Sequence, residues 1–427
     1  MKKVLIITYY WPPAGGPGVQ RWLKFVKYLR DFQIEPVVYI PENPGYPIID
    51  GSLQDEVPEG IKILRQPIRE PYKLAGIFSK KETEKISSGI IAEEKKQSFL
   101  EKMMLFIRGN FFIPDARVLW VKPSVKYLSA FLKEEKIETL ITTGPPHSLH
   151  LIGLNLKKHF NVKWIADFRD PWTQIGYHEK LKLTRSSREK HENLEKEVLQ
   201  TADKIIATSF STREEFQQKT SKEICLITNG FDIEENNRPY SNDKFIISHV
   251  GSLLSGRNPI NLWKALSELI KENPKFEKDL QLSFAGRISE EVVSSMKDFG
   301  LSSFLELKGY VGHGKAVKLQ RESALLLLLE IDSEITRGII PGKLFEYLAS
   351  KRPILAIGPH NWDVGKILSD AGAGQVFQYG DKETIKNFIF SEYQKFKNGE
   401  ELLLASEVSK YHRRETTKKL AELIKNL

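Results

Sequence analysis

The sequence predicts an α/β fold of two similar Rossmann-like domains facing a central cleft, and three observations predict it. Short apolar runs of strand length alternate with amphipathic helical stretches along most of the 427 residues. A strand, a glycine-containing loop and a helix open the chain, and the same opening recurs after residue 245. Between the halves, 233–243 is polar and turn-rich and reads as a linker.

In the first half, 3–8 is a buried strand and 9–18 a loop rich in Pro and Gly. A helix follows over 19–32, with Trp22, Phe25, Val26 and Leu29 at helical spacing for an inward face. The next strands are 36–40 and 61–65. The loop Ala14-Gly15-Gly16-Pro17-Gly18 lacks the dinucleotide-fingerprint spacing, so it argues little for NAD or FAD. Its glycines fit either a close backbone approach to a ligand or a plain tight turn. Segment 72–112 breaks the alternation. It reads as helical and lysine-rich, with Met103, Met104, Leu105, Phe106 and Ile107 clustered before Phe111 and Phe112. It suits a helical insertion packed on the domain, or a surface resting on an anionic membrane.

The rhythm resumes with a helix at 122–133, a strand at 138–142, a loop at 143–148 and a helix at 149–160. Strand 162–166 runs into Asp167-Phe168-Arg169-Asp170-Pro171-Trp172. Polar residues at the carboxyl end of a parallel strand are placed for chemistry; Asp170 also fits a turn cap before Pro171. His147 belongs to a site loop or neighbours a helix start. A charged helix at 186–199 and strands at 204–208 and 223–228 complete this half.

The second half opens with a strand at 245–250, then Gly251-Ser-Leu-Leu-Ser-Gly-Arg257 and a helix from 259. Strand 280–285 ends in Gly286-Arg287; strand 304–307 and a helix at 315–322 follow. The five leucines at 325–329 suit a parallel strand covered on both faces. In 337–357, Pro341 and Gly342 punctuate a helix entry, Leu344, Phe345 and Leu348 form its apolar side, and Lys343, Glu346 and Ser350 share the opposite face. Pro353 stops the helix before a strand at 354–357. The start of that helix, with Arg337 and Lys343 beside it, suits a phosphate, and Glu346 suits a ribose. Lys343 and Glu346 also fit an ordinary surface pair three residues apart. A strand at 375–377 and a helical tail from 399 close the chain.

Composition bounds the function classes. The chain is 41% apolar and 28% charged, ordinary for a globular protein. A single cysteine, Cys225, excludes an internal disulfide and a thiolate metal cluster and fits a reducing compartment. The first apolar run is too short for a signal sequence, and no run approaches the roughly 18 residues of a membrane span, so a cytoplasmic protein is expected. The net charge of +9 favours anionic partners. The cations are dispersed and no nucleic-acid motif occurs, so nucleic acid is not expected among them.

These residues, in this order, resemble the GT-B glycosyltransferases, specifically the retaining nucleotide-sugar enzymes of glycosyltransferase family 4. The resemblance covers nearly the whole chain. Gly15-Gly16 matches the loop facing donor phosphates and acceptor. His249-Val-Gly-Ser-Leu-Leu-Ser-Gly-Arg257 resembles the family's Val-Gly-Arg-Leu…Lys-Gly segment: Gly251 falls on the glycine, Ser252 on the arginine and Arg257 on the lysine. Gly286 matches the next glycine loop, with Arg287 in place of its acid. Glu346-Tyr-Leu-Ala-Ser-Lys-Arg-Pro-Ile matches the helix that begins with the family's second glutamate, the usual ribose ligand. The first glutamate falls on Gly338 and is missing. In the first half Asp170 matches the aspartate of a His-Asp pair, and Arg169 stands where the histidine would be.

The resemblance implies an acceptor domain at 1–235 with the insertion at about 72–112, a donor domain at 236–400, and a C-terminal helix at 401–427 packing back on the first domain. It assigns Asp170 to catalysis. Gly16, Gly251, Ser252, Arg257, Gly286, Gly342, Lys343, Leu344 and Glu346 are assigned to the donor, and His147 and Arg169 to the acceptor. The implied reaction moves a hexose-type unit from a UDP- or GDP-sugar to a polysaccharide or lipid-linked acceptor with retention, at the inner membrane face. Helix ends and Arg/Lys meet the charge of the leaving diphosphate, so neither cofactor nor metal is expected. Two alternatives remain open: a sugar-nucleotide 2-epimerase, and a non-catalytic nucleotide-sugar-binding protein.

Overall fold

The computed structural model describes residues 1–70, 99–174, 181–235, 238–400, 402 and 407–427. The chain forms two compact units, Met1–Asn229 with Arg413–Leu427, and Gly230–His412.

The first unit runs β1 Lys2–Ile7, α1 Pro17–Leu29, β2 Ile34–Pro41, β3 Lys62–Gln66, α2 Phe99–Phe111, α3 Val121–Glu135, β4 Thr139–Gly144, α4 Ser148–His159, β5 Lys163–Phe168, α5 Arg185–Thr201, β6 Lys204–Ala207, α6 Phe210–Gln217 and β7 Ile224–Leu226. Its seven strands pair in parallel in the order β3-β2-β1-β4-β5-β6-β7. Both faces are covered. Val4 and Ile6 enter one core and Leu5 and Ile7 the other, because successive strand side chains leave on opposite faces. The sheet order reverses beside β1, which pairs with β2 on one edge and β4 on the other. That switch point leaves a crevice beyond the strands' carboxyl ends.

The second unit contains β8 Phe245–Val250, α7 Ile260–Glu272, α8 Pro274–Asp279, β9 Leu280–Ala285, α9 Glu290–Asp298, β10 Leu305–Gly309, α10 His313–Arg321, β11 Leu325–Leu329, α11 Lys343–Ser350, β12 Ile354–Ile357, α12 Val364–Ala371, β13 Gly374–Phe377 and α13 Lys382–Lys397. Six parallel strands follow the order β10-β9-β8-β11-β12-β13. The switch point recurs, here between β8 and β11. The five leucines of β11 are all buried, as a strand sandwiched between helix layers requires.

The last helix, α14 Arg413–Lys425, belongs to the first unit, where Leu420, Leu423 and Ile424 share a core with Trp22 and Val26 of α1. The sequence suggested a helical tail from residue 399; the described residues 399, 400, 402, 407 and 408 are not helical, and the helix starts at Arg413. A 3-10 turn at Ser409–Tyr411 precedes α14, Tyr411 donates its hydroxyl to Asp370 Oδ2 at 2.6 Å, and its carbonyl accepts from Phe231 N–H at 3.1 Å. Those bonds hold 409–411 to the second unit. Of the insertion expected at 72–112, the part before Phe99 lies outside the described residues.

Candidate functional site

Two groups of candidate residues sit at carboxyl ends of strands, one in each unit. In the second unit, Gly251 follows β8 and Gly286 follows β9, and both hold a φ of +123°, the region that favours glycine. A Cβ on Gly286 would lie 2.4 Å from the Gly251 carbonyl oxygen, and a Cβ on Gly251 would lie 2.5 Å from Lys343 Nζ. The two loops therefore stack backbone to backbone, with the lysine ammonium lying on that stack.

Lys343 is the first residue of α11. Its Nζ is 3.3 Å from His249 Nε2, and His249 Nδ1 is 2.9 Å from the Leu327 carbonyl oxygen. A carbonyl only accepts, so Nδ1 carries the proton and Nε2 offers its lone pair to the ammonium. Burial, reinforced by the Lys343 charge, holds His249 neutral and its pKa well below the usual histidine range. Burial and the nearby Arg257 push Lys343 down to about 8, with Glu330 and Glu346 pulling the other way.

Arg257 is steered by Glu330. Its Nε and Nη2 donate to Glu330 Oε1 at 2.9 and 2.7 Å. Glu330 is 2% exposed, comes directly after β11, and also accepts from Ile331 N–H at 2.9 Å. The half-buried Glu346 is braced by α10. Its Oε1 lies 3.1 Å from His313 Nε2, and its Oε2 accepts from Gln320 Nε2 at 3.1 Å. Gly342 and Ser252 are exposed, whereas Leu344 is fully buried and anchors α11. Ser350, expected on a polar face, is buried and donates to the Tyr347 carbonyl at 2.6 Å. Of the three residues expected on one polar face, Lys343 and Glu346 are half-buried and Ser350 is buried.

The sequence does not single out Glu330, His249 or Tyr347, which the structure places against Arg257, Lys343 and the end of β8. Tyr347 accepts from Val250 N–H at 2.9 Å and ties α11 to the end of β8. The signal available for Glu330 was a carboxylate immediately after five leucines, at the carboxyl end of a buried parallel strand.

In the first unit, Gly16 holds a φ of +102° with open space where a Cβ would stand, leaving its backbone accessible. Asp167, at the end of β5, is fully buried. It accepts from Arg21 Nη2 at 2.8 Å, Trp22 Nε1 at 2.9 Å and Thr143 Oγ1 at 2.8 Å. Although burial opposes ionisation, Arg21 holds this carboxyl below its ordinary value. Arg21 also donates to the Ile227 and Thr228 carbonyls, at 2.9 Å each. Asp167 and Arg21 thus tie three strand ends together.

Arg169 donates to the Pro145 carbonyl, lies 5.6 Å over the Tyr10 ring, and fills the space beside Gly18, where a Cβ would collide with it. Asp170 is exposed. Surrounding protein raises its carboxyl and Arg169 lowers it, and solvent screens both effects at an exposed group. His147 is 2% exposed, its ring stacked on Trp172 at 4.9 Å between centroids and 5° between planes. Its side chain packs in an aromatic cluster with His150 and Phe168.

Among the described residues, no helix is long and apolar enough to cross a membrane. No protein-family model matches the chain, and no curated protein matches it in sequence. Solved structures match it along its whole length. TarM from S. aureus, as a variant in complex with Fondaparinux, alpha-GlcNAc-glycerol and UDP, is 13% identical with a TM-score of 0.57, covering 100% of this chain and 99% of that one. A glycosyltransferase from Rickettsia africae is 13% identical at a TM-score of 0.56, covering 100% and 96%. A protein described as a UDP-N-acetylglucosamine 2-epimerase, from Listeria monocytogenes, is 12% identical at 0.54, covering 100% and 96%. At these identities the likeness establishes the fold: the chain has the α/β GT-B fold of glycosyltransferases, two parallel sheets with interleaved helices.

Proposed function

We propose that this chain is a retaining glycosyltransferase similar to family 4. It transfers a sugar from a UDP- or GDP-linked donor to a saccharide or lipid-linked acceptor. The observation that carries the reading is the second unit's cation pair: Lys343 Nζ lies on the backbone stack of Gly251 and Gly286, and Glu330 holds Arg257 in place. The glycine backbones beside two cations and the start of α11 suit a diphosphate.

In this reading the donor's diphosphate lies on the glycine backbones. Lys343, Arg257 and the α11 N–H groups meet the charge that develops as the sugar–phosphate bond breaks, without a metal. His249, kept neutral, orients Lys343 without opposing the anion. Glu346 accepts from the ribose hydroxyls, and Gly342, Leu344 and Ser252 complete the donor set. In the first unit, Gly16 leaves its backbone open to a substrate, Arg169 and His147 are assigned to the acceptor, and Asp170 to catalysis. The protein works in the cytoplasm at the inner membrane face.

The epimerase reading draws on the Listeria structure, whose fold is shared. Incubation with UDP- and GDP-sugars separates the readings. A transferase turns the donor over only when a saccharide acceptor is added and keeps the anomeric configuration. Conversion of the donor to its 2-epimer without acceptor would establish the alternative. Nucleotide binding with neither reaction would support a non-catalytic binder.

A further inference from the structure

The first unit holds an arginine whose charge the protein does not match. Arg169 directly follows β5, at the carboxyl end of the sheet, and is half-buried. Among the described residues its guanidinium makes a single hydrogen bond, from Nη2 to the Pro145 carbonyl, although it carries five N–H donors. Its Nε is buried and has no acceptor. Tyr10 covers the guanidinium, with the ring centroid 5.6 Å away. A carbonyl and an aromatic face orient an arginine without neutralising it. The buried arginines nearby are treated differently. Arg21 has Asp167 at 2.8 Å, and Arg117 has Glu70 at 3.2 Å.

The carboxylates that could pair with Arg169 are engaged or turned to solvent. Asp167 accepts from Arg21, Trp22 and Thr143. Asp170 is exposed, and among the described residues no carboxylate comes within ion-pair distance of Arg169. The segments that touch the guanidinium, 9–30 through Tyr10 and Gly18 and 139–159 through Pro145, contain no Asp or Glu. The start of α1 lies against it as well. A Cβ on Gly18 would collide with Nη1, so the glycine leaves the space that the arginine fills. The first turn of α1 has no acidic residue and no side-chain cap, and Gly16 before it leaves open space beside its backbone. A part-buried cation kept at a strand end without a counter-charge is completed by an anion from outside.

We propose that Arg169 recognises an anionic group on the acceptor, so that the first unit takes an acidic saccharide, one whose sugar carries a carboxylate or a phosphate ester. This deepens the transferase reading and rests on it for calling the ligand an acceptor, but its test needs no transfer activity. Methyl glucoside, methyl glucuronide and methyl glucoside 6-phosphate, which differ only at C6, are titrated by calorimetry into the full chain, alone and with excess UDP to fill the second unit's site. At least one anionic sugar should bind about tenfold or more tighter than the neutral one, the scale of a hydrogen bond to a charged group. That advantage should shrink at high salt. The anionic sugar preferred identifies the group as carboxylate or phosphate. Arg169→Gln should erase the advantage, and Arg169→Lys should keep part of it. Gly18→Ala displaces the guanidinium without removing its charge and should weaken the advantage as well. Equal affinity for the three sugars, or binding of none, overturns the proposal. So does an advantage that survives Arg169→Gln or, should that variant not fold, Gly18→Ala. UDP binding without discrimination among the sugars condemns only the acidic acceptor; discrimination without UDP binding condemns only the transferase reading.

Discussion

Lys343 carries most of the chemistry assigned to the second unit, and its environment is costly. An ammonium placed among Arg257, a neutral histidine and backbone loses solvation that Glu330 and Glu346 offset only in part. Its pKa near 8 fixes two opposite pH trends. In the unfolded chain a lysine keeps its proton up to about 10.4. Between the two values the unfolded state therefore binds more protons, and this group's contribution to stability rises with pH across that window. Diphosphate affinity should move the other way, full below about 8 and declining above it as the ammonium is lost. Lys343→Met should flatten that decline and weaken UDP by about 1.5–3 kcal/mol, the scale of a hydrogen bond to a charged group. Its thermal stability should equal or exceed that of the parent, because a buried cation is removed. A melting temperature several degrees lower, with UDP affinity intact, would make Lys343 structural. Glu330 is the second residue whose role is sharply testable. Glu330→Gln keeps the shape but removes the charge that directs Arg257. UDP affinity should fall by about 1–2 kcal/mol, while uridine is spared.

At the scale of elements, the loops after β8 and β9 are set by backbone space. Gly286→Ala would put a methyl on the Gly251 carbonyl in a left-handed conformation, and destabilisation of about 2 kcal/mol or more is expected in urea unfolding. A change under about 0.5 kcal/mol would show that the stack can open without cost. The C-terminal helix gives a parallel case in the first unit. Leu420 is fully buried against α1, so Leu420→Ala should cost about 2–4 kcal/mol.

The parts legible in sequence were those written in local pattern. The leucine run of β11, the amphipathic spacing of α1 and the break at Pro353 each follow from nearest-neighbour physics. The roles of Glu330 and His249 were not legible, because each depends on a partner about 70 to 100 residues away: Arg257 for one, Lys343 for the other. Helices such as α9, α12 and α13 went unassigned because each is short or charged, and their burial comes from the sheet below. The tail was misread because residues 409–411 bond to the second unit, which composition does not reveal.

For the molecule as a whole, twin parallel sheets with the same switch point explain why a 427-residue chain can be read as one plan used twice. Repetition of the pattern made the fold class readable even though solved structures that share the fold are only 12% to 13% identical. The central proposal is that the second unit's cations and glycine stack hold a nucleoside diphosphate, and isothermal titration calorimetry tests it most directly. UDP, GDP and their nucleosides are titrated into the parent chain and into Arg257→Ala and Lys343→Met. The account predicts that one of the two diphosphates binds, that its nucleoside binds far more weakly, and that both variants erase most of that difference. Equal affinity for diphosphate and nucleoside, or variants that weaken both alike, would contradict it.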